Sequence, residues 1–241
     1  MCASRTAKLG AVGWFLALVV GFPSLLSRYP GLAPEWLPSW AVLAVVAAGF
    51  VGGGLLLKGL DLWRWHRLAT SMGLERMGDA AAEEGFNPLE AYRGTFEGRQ
   101  VTLDHVGNQS SEASDWTRVT APHDGDPGGR LVVRERGLGG VADSEFPPSV
   151  DVRDDALSDR FDVYCAEAAF AREVLAGPVR ELLVGADAVG QVTVTGGRVE
   201  SKQRLQPFDA AVIRTHVQVA TAVADAVEAT SERPDRPSAS Q

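Results

Sequence analysis

The side chains best spaced for chemistry lie in "DGDPGGRLVVRE". There Asp124, Asp126, Gly129 and Glu135 occupy positions 1, 3, 6 and 12 of a calcium-binding loop. Such a loop surrounds the ion with oxygens from alternate residues and closes on a bidentate carboxylate. Position 5 is Gly128 rather than Asp or Asn. The flanks alternate like strands, whereas a calcium loop of this type joins two helices. Turn geometry accounts for Pro127 and the glycines, so the segment reads as a hairpin turn.

Other chemistry-bearing residues are scattered. Cys165 would be a nucleophile if His105 or His123 approached it, but its alternation with Phe161 and Val163 turns it toward a core. His66, His105, His123 and His216 show no metal-ligand spacing, and His216 falls on the apolar side of a helix. Asp154, Asp155, Asp159 and Asp162 are interleaved with Arg153 and Arg160, which reads as a loop of ion pairs. No nucleophile elbow, zinc-protease or kinase signature is present. The glycines of "GFVGGGLLLKG" are not a phosphate loop, because Lys58 is followed by Gly59 rather than Ser or Thr. Neither a cofactor nor a metal is expected.

Those glycines fit a different role. From Trp36 to Leu57 there is no charged residue, nor from Leu9 to Ser27. About 20 apolar helical residues cross a bilayer core. The sequence therefore predicts a cytoplasmic N-terminus over 1–8, transmembrane helices over 9–27 and 36–58, and a short outer loop over 28–35. Helix pairing in lipid depends on small residues that let backbones approach. Gly13, Ala17 and Gly21 would face Gly52, Ala48 and Ala44, with Gly49 and Gly53 beside them. Arg5, Lys8, Lys58, Arg64 and Arg67 flank the pair, against Arg28 alone in the connector, which puts both chain ends in the cytoplasm. Trp36, Trp40, Trp63 and Trp65, with Arg64 and Arg67, form the expected membrane-interface set.

A juxtamembrane helix over 59–86, breaking near Gly73, leads to a soluble α+β domain over 87–230, and a polar tail over 231–241 is expected to be disordered. Alternating runs predict strands at "YRGTF" and "RQVTLDHV" meeting at Glu97-Gly98, at "DWTRVTAP", "RLVVRERG" and "FDVYCA", and a hairpin turning at Gly196-Gly197. Helices are expected at "EAAFAREVLAG", at "PVRELLVG" and from about Pro207 to Thr230, the last with Ile213, Val217, Ala220, Ala224 and Val227 on one stripe. The fold class is thus a two-helix membrane hairpin followed by a domain with a mainly antiparallel sheet and packed helices. From residue 62 onward 29 Asp and Glu oppose 19 Lys and Arg. That net −10 predicts a surface repelling nucleic acid and anionic lipid. The 20 arginines against three lysines fit a GC-rich genome and a salt-adapted organism. Cys2 and Cys165 build no disulfide framework, and the sequon at Asn108 is idle in a cytoplasmic domain.

The pattern of Gly94, Phe96, Gly98, Arg99 and Val101, followed by "LSDRFDVYCAE" and "LAGPVRELL", resembles an uncharacterised prokaryotic family. Its members join two N-terminal membrane helices to a soluble domain of unknown function. The resemblance implies the same architecture and supplies no catalytic residues. The expected function is a membrane-anchored, cytoplasm-facing binding or scaffold module whose partners are the bilayer and an unidentified protein. The alternatives are a sensor or accessory subunit of a larger membrane complex, or an unrecognised enzyme.

Overall fold

Eight strands pair antiparallel throughout into one sheet. The computed structural model describes residues 39–106, 116–138, 146–186, 189–204 and 209–232. In chain order these are α1 (Ser39–Ser71), β1 (Glu75–Arg76), α2 (Ala80–Glu83), β2 (Tyr92–Phe96), β3 (Arg99–Val106), β4 (Trp116–Pro122) and β5 (Leu131–Glu135). There follow α3 (Asp155–Arg160), β6 (Phe161–Cys165), α4 (Ala168–Val174), α5 (Gly177–Gly185), β7 (Gln191–Thr195), β8 (Arg198–Arg204) and α6 (Ala210–Ser231). The strands lie in the order β1-β2-β3-β4-β8-β7-β5-β6.

Local chemistry sets the turns. Glu97 and Gly98 both have positive φ, 50° and 86°, as a two-residue hairpin of the primed kind requires. In the β7–β8 hairpin Gly197, at φ 84°, supplies the positive-φ turn position. Asp209 caps α6 by accepting from the Ala211 N–H at 2.8 Å, and Asp154 caps α3 through Leu157 N–H at 3.0 Å. The β4–β5 connection is not the hairpin that its turn residues suggested. β8 and β7 lie between the two strands, so residues 123–130 cross to a non-neighbour.

Period-two alternation divides the sheet into two faces. One carries Val101, Leu103, Val119, Ala121, Leu131, Val133, Val163, Cys165, Val192, Val194 and Val199, all buried. Against it α6 lays its predicted stripe of Ile213, Val217, Ala220, Ala224 and Val227, and Phe170, Val174, Val179 and Leu183 from α4 and α5 complete the core. Each such side chain contributes about 1.5–3 kcal/mol on burial.

The chain divides into two units, Met1–Arg64 and Trp65–Gln241. In the second, Trp65 is fully buried and its indole N–H donates to Glu90 O at 2.8 Å. This corrects the assignment of Trp65 to a membrane interface: it is a core residue. The helix ends at Ser71, and Gly73 (φ 76°) turns the chain into β1 and then α2, so 59–86 is not one helix. In the first unit, Val51, Leu55, Leu56, Leu60 and Trp63 are exposed. Among the described residues no helix is long and apolar enough to cross a membrane. Side chains of α1 are described from Ala47, and Lys58 ends the uncharged run after Leu57. The expected helix over 9–27, the connector, the polar tail and Asn108 lie outside the described residues.

Gly94 faces the core where the chain leaves α1. A Cβ built there would stand 2.6 Å from Leu74 Cδ2, 3.1 Å from Gly73 O and 3.3 Å from Leu74 Cα. The first contact yields to a rotamer change, whereas the other two are backbone. Gly94→Ala is therefore expected to lower unfolding stability by about 1–3 kcal/mol, measured by denaturant titration of tryptophan fluorescence.

Candidate functional site

On the opposite face the end of α2 reaches the strands, with Glu84 pairing with Arg93 and Gly85 O accepting from Arg118 at 3.3 Å, and the side chains turned to this side are mostly polar. Successive register pairs align one row across all eight strands: Glu75, Arg93, Thr102, Thr120, Glu200, Thr193, Val132 and Tyr164. The neighbouring row reads Asp104, Arg118, Lys202, Gln191, Arg134 and Asp162. Cross-strand neighbours lie close enough to pair, and here they do. Arg118 grips the fully buried Asp104 with two donors, at 2.9 and 2.7 Å, and approaches Glu200 at 3.6 Å. Glu200 also receives Lys202 at 2.7 Å and Arg198 at 3.3 Å.

Within this face the strand β7 forms a low floor. Its outward residues, Gln191, Thr193 and Thr195, are short, and Gln191 Nε2 donates to Thr193 Oγ1 at 3.0 Å. On one side β8 raises Arg198, Lys202 and Arg204, and on the other β5 and its flanks raise Arg130, Arg134 and Arg136. The walls stand two strand spacings apart, about 10 Å, and six residues of strand make each about 20 Å long. Arg198, Arg204, Arg130 and Arg136 are exposed, while Lys202 and Arg134 are recessed. Arg130 and Arg134 both lie 5.6 Å from the Phe146 ring centroid, Phe146 packs on Tyr164 at 5.0 Å, and Arg134 donates to Leu138 O. At the other margin Arg118 lies 5.0 Å over Phe86. These stacks fix the guanidinium planes.

Electrostatics follow from the pairs. Burial alone would raise the Glu200 carboxyl, but Lys202, Arg118 and Arg198 overcome it and hold the group below the usual glutamate value. Burial opposes the charge of Arg118, yet its hydrogen bonds to Asp104 keep its pKa raised. Away from the groove, Arg99 hydrogen-bonds Glu228 at 2.9 and 2.6 Å, Asp225 at 2.5 Å and Pro122 O at 2.5 Å. The Arg99 bond lowers the Glu228 carboxyl and is the largest cause of that shift. Asp154 is lowered chiefly by its hydrogen bond to Arg180 and by the Leu157 N–H it caps.

The residues singled out from sequence disperse. Gly128 and Gly129 both turn at positive φ, and Asp126 accepts from Gly128 N–H at 2.9 Å as a turn former. Asp124 N–H donates to Glu228 at 3.1 Å, whereas Glu135 pairs with Arg160 at 3.4 Å. The calcium-loop carboxylates thus face different partners. Asp162 pairs with Arg136 at 3.1 Å. Cys165 is buried on β6, five strand positions from β3, which puts His105 about 24 Å across the sheet. His105 Nδ1 meets Glu90 at 3.0 Å, His66 Nδ1 meets the Tyr92 hydroxyl at 3.2 Å, and His123 donates to Thr195 O at 2.8 Å. His216 is a hydrogen-bonded core histidine as expected: Nδ1 lies 2.7 Å from Ser201 Oγ and Nε2 lies 2.9 Å from Gln203 Oε1. This Ser–His–Gln line mimics an acyl-transfer dyad, but Ser201 is 0% and His216 1% exposed under α6, where no substrate reaches them. Among the described residues no group of His, Cys, Asp and Glu is arranged to hold a metal. Trp63, Arg64 and Arg67 are exposed, and the side chains of Trp36 and Trp40 lie outside the described residues.

The site and fold together define a class: an α+β domain on one antiparallel sheet, with α4, α5 and α6 packed on one face and a largely polar second face. No protein-family model matches the chain, and no curated protein matches it. A solved structure, that of the mycobacterial trehalose monomycolate transport factor A, TtfA, is similar over 68% of this chain and 93% of its own, with 12% identity and a TM-score of 0.49.

Two outcomes follow from the ion pairs. Asp104→Ala strands the largely buried Arg118 and is expected to cost about 3 kcal/mol in a chemical melt. Glu200 and Glu228 have lowered folded values, so their contribution is present above the ordinary glutamate range and is lost as pH falls through the lowered values. Melts run between about pH 7 and pH 3 should show a steep loss of stability toward acid, with a shallower slope in Glu200→Gln and Glu228→Gln.

Proposed function

We propose that this protein is a membrane-anchored binding module, held at the cytoplasmic surface by a helical hairpin and presenting to a partner the polar face of its sheet, opposite α4, α5 and α6. The observation that carries the binding role is that face itself. Its charged side chains are ordered by ion pairs across and along strands and by aromatic stacks, and among the described residues no nucleophile and base converge on it. Preorganised polar groups without a reacting pair suit recognition rather than turnover.

The anchor is supported by α1. Val51, Leu55 and Leu56 are 63–69% exposed, a large apolar surface on one helix that water does not favour. Upstream residues from Trp36 extend this run without charge, and Leu9 to Ser27 supplies a second. No described atom lies within 4 Å of a Cβ built at Gly52, Gly53 or Gly54, so that side of α1 can accept a close neighbour. The complementary small residues Gly13, Ala17 and Gly21 are the proposed contact, with Ala44, Ala48 and Gly49 completing the α1 side. Lys58, Arg64 and Arg67 support a cytoplasmic start of the domain, with Trp36, Trp40 and Trp63 as the proposed headgroup contacts.

Alkaline carbonate extraction of cell membranes tests the anchor. The chain should stay in the pellet, and protease should cut the C-terminal domain only in inverted vesicles. Recovery in the soluble fraction, or cleavage from the outside of intact cells, would overturn it.

A further inference from the structure

Beside the β1 edge of the sheet lies a cavity of about 610 Å³. β1 covers only the first part of β2, because Glu75 stands opposite Arg93 and Arg76 opposite Tyr92. Met77 N–H donates to Ala91 O at 3.0 Å, so by alternation Ala91, Arg93 and Thr95 aim their backbone groups toward the β1 side. Gly73 would stand opposite Thr95, but its N–H donates to Thr70 O at 3.0 Å and closes the end of α1 instead. Among the described residues the backbone N–H and C=O of Thr95 are therefore left open at the cavity. Thr95, Gln100, Glu75 and Arg76 line it as exposed side chains, beside Met77 and Ala80. Arg93 is taken up by Glu84. Neither Glu75 nor Arg76 has an ion pair among the described residues.

From this we infer that the cavity binds a short zwitterionic peptide in extended form, a site at the sheet's edge that goes beyond the binding-module reading. An extended segment laid against Thr95 continues the line of β1 by one hydrogen-bonded pair, the mode in which a sheet edge takes up a strand. Its length is limited at both ends. The next paired position, opposite Arg93, is already occupied by Glu75, and on the other side β2 ends at Phe96 before the turn at Glu97 and Gly98. About two or three residues fill that gap at strand spacing, and the volume falls within the range of about 300–1,000 Å³ usual for a small-ligand site. One unpaired guanidinium and one unpaired carboxylate complement a ligand that carries both charges, whereas a ligand with a single charge meets its like as well as its opposite. Arg76 offers a fork to the terminal carboxylate, and Glu75 accepts from the terminal ammonium.

Calorimetric titration of the full-length protein in neutral-lipid nanodiscs with tri-alanine tests this, with N-acetyl tri-alanine amide as the uncharged control. The zwitterion should bind saturably at millimolar concentration or below and slow hydrogen exchange at the Thr95 amide. The uncharged peptide should bind about tenfold more weakly. Arg76→Gln and Glu75→Gln should each weaken affinity about fivefold, the upper end for an exposed charge pair. Thr95→Pro removes an N–H that the sheet does not use, as an edge strand tolerates, and should abolish binding with the melt unchanged. Should that variant fail to fold, Arg76→Gln and the Thr95 amide decide alone. Absence of binding would overturn the inference. So would equal binding of the uncharged peptide, full affinity in Arg76→Gln, or a Thr95 amide that stays unprotected in the complex. None of these outcomes alters alkaline extraction, so the anchor stands or falls separately.

Discussion

A sheet whose longest packed helix, α6, lies on one side must still satisfy the side chains of the other, and that constraint governs this domain. The covered face follows the usual solution, valines and leucines against α4, α5 and α6. The uncovered face cannot be apolar without inviting association, nor can it carry unpaired buried charge. It answers with ion pairs across and along strands: Asp104 is enclosed by Arg118 of the next strand, and Glu200 by Arg118 across and by Lys202 and Arg198 along its own strand. Each carboxylate is offset by a neighbour one strand away, so the ordered polar surface is a consequence of register. A slip of one residue would exchange the two faces entirely.

The same register explains what could be read from sequence. Both tight hairpins were legible, because Glu97-Gly98 and Gly196-Gly197 declare themselves within two residues. The stripe of α6 was legible from its period, and His216 was rightly placed in the core. Strand order was not. Residues 123–130 look like a hairpin turn, but the β7–β8 hairpin, some sixty residues later, pairs between β4 and β5. Nothing local signals that insertion, since antiparallel pairing energy depends on which faces match rather than on separation in the chain.

Trp65 shows a subtler failure. "WRWHR" groups two tryptophans with three basic residues, a composition typical of a membrane interface. Residues two apart on a helix point about 200° apart, so Trp63 and Trp65 cannot share one surface. One is 54% exposed and the other is fully buried, bonded to Glu90 O, with Glu90 in turn meeting His105. Helical geometry already contained that answer, and composition obscured it.

The groove was hidden for a third reason. Arg130, Arg134 and Arg136 alternate along one segment and Arg198, Lys202 and Arg204 along another, and each set alone reads as a solvated strand edge. Only the intervening β7, bearing short side chains, turns two ordinary edges into facing walls. Their placement on either side of β7 follows from the strand order, which no local pattern within either segment reports.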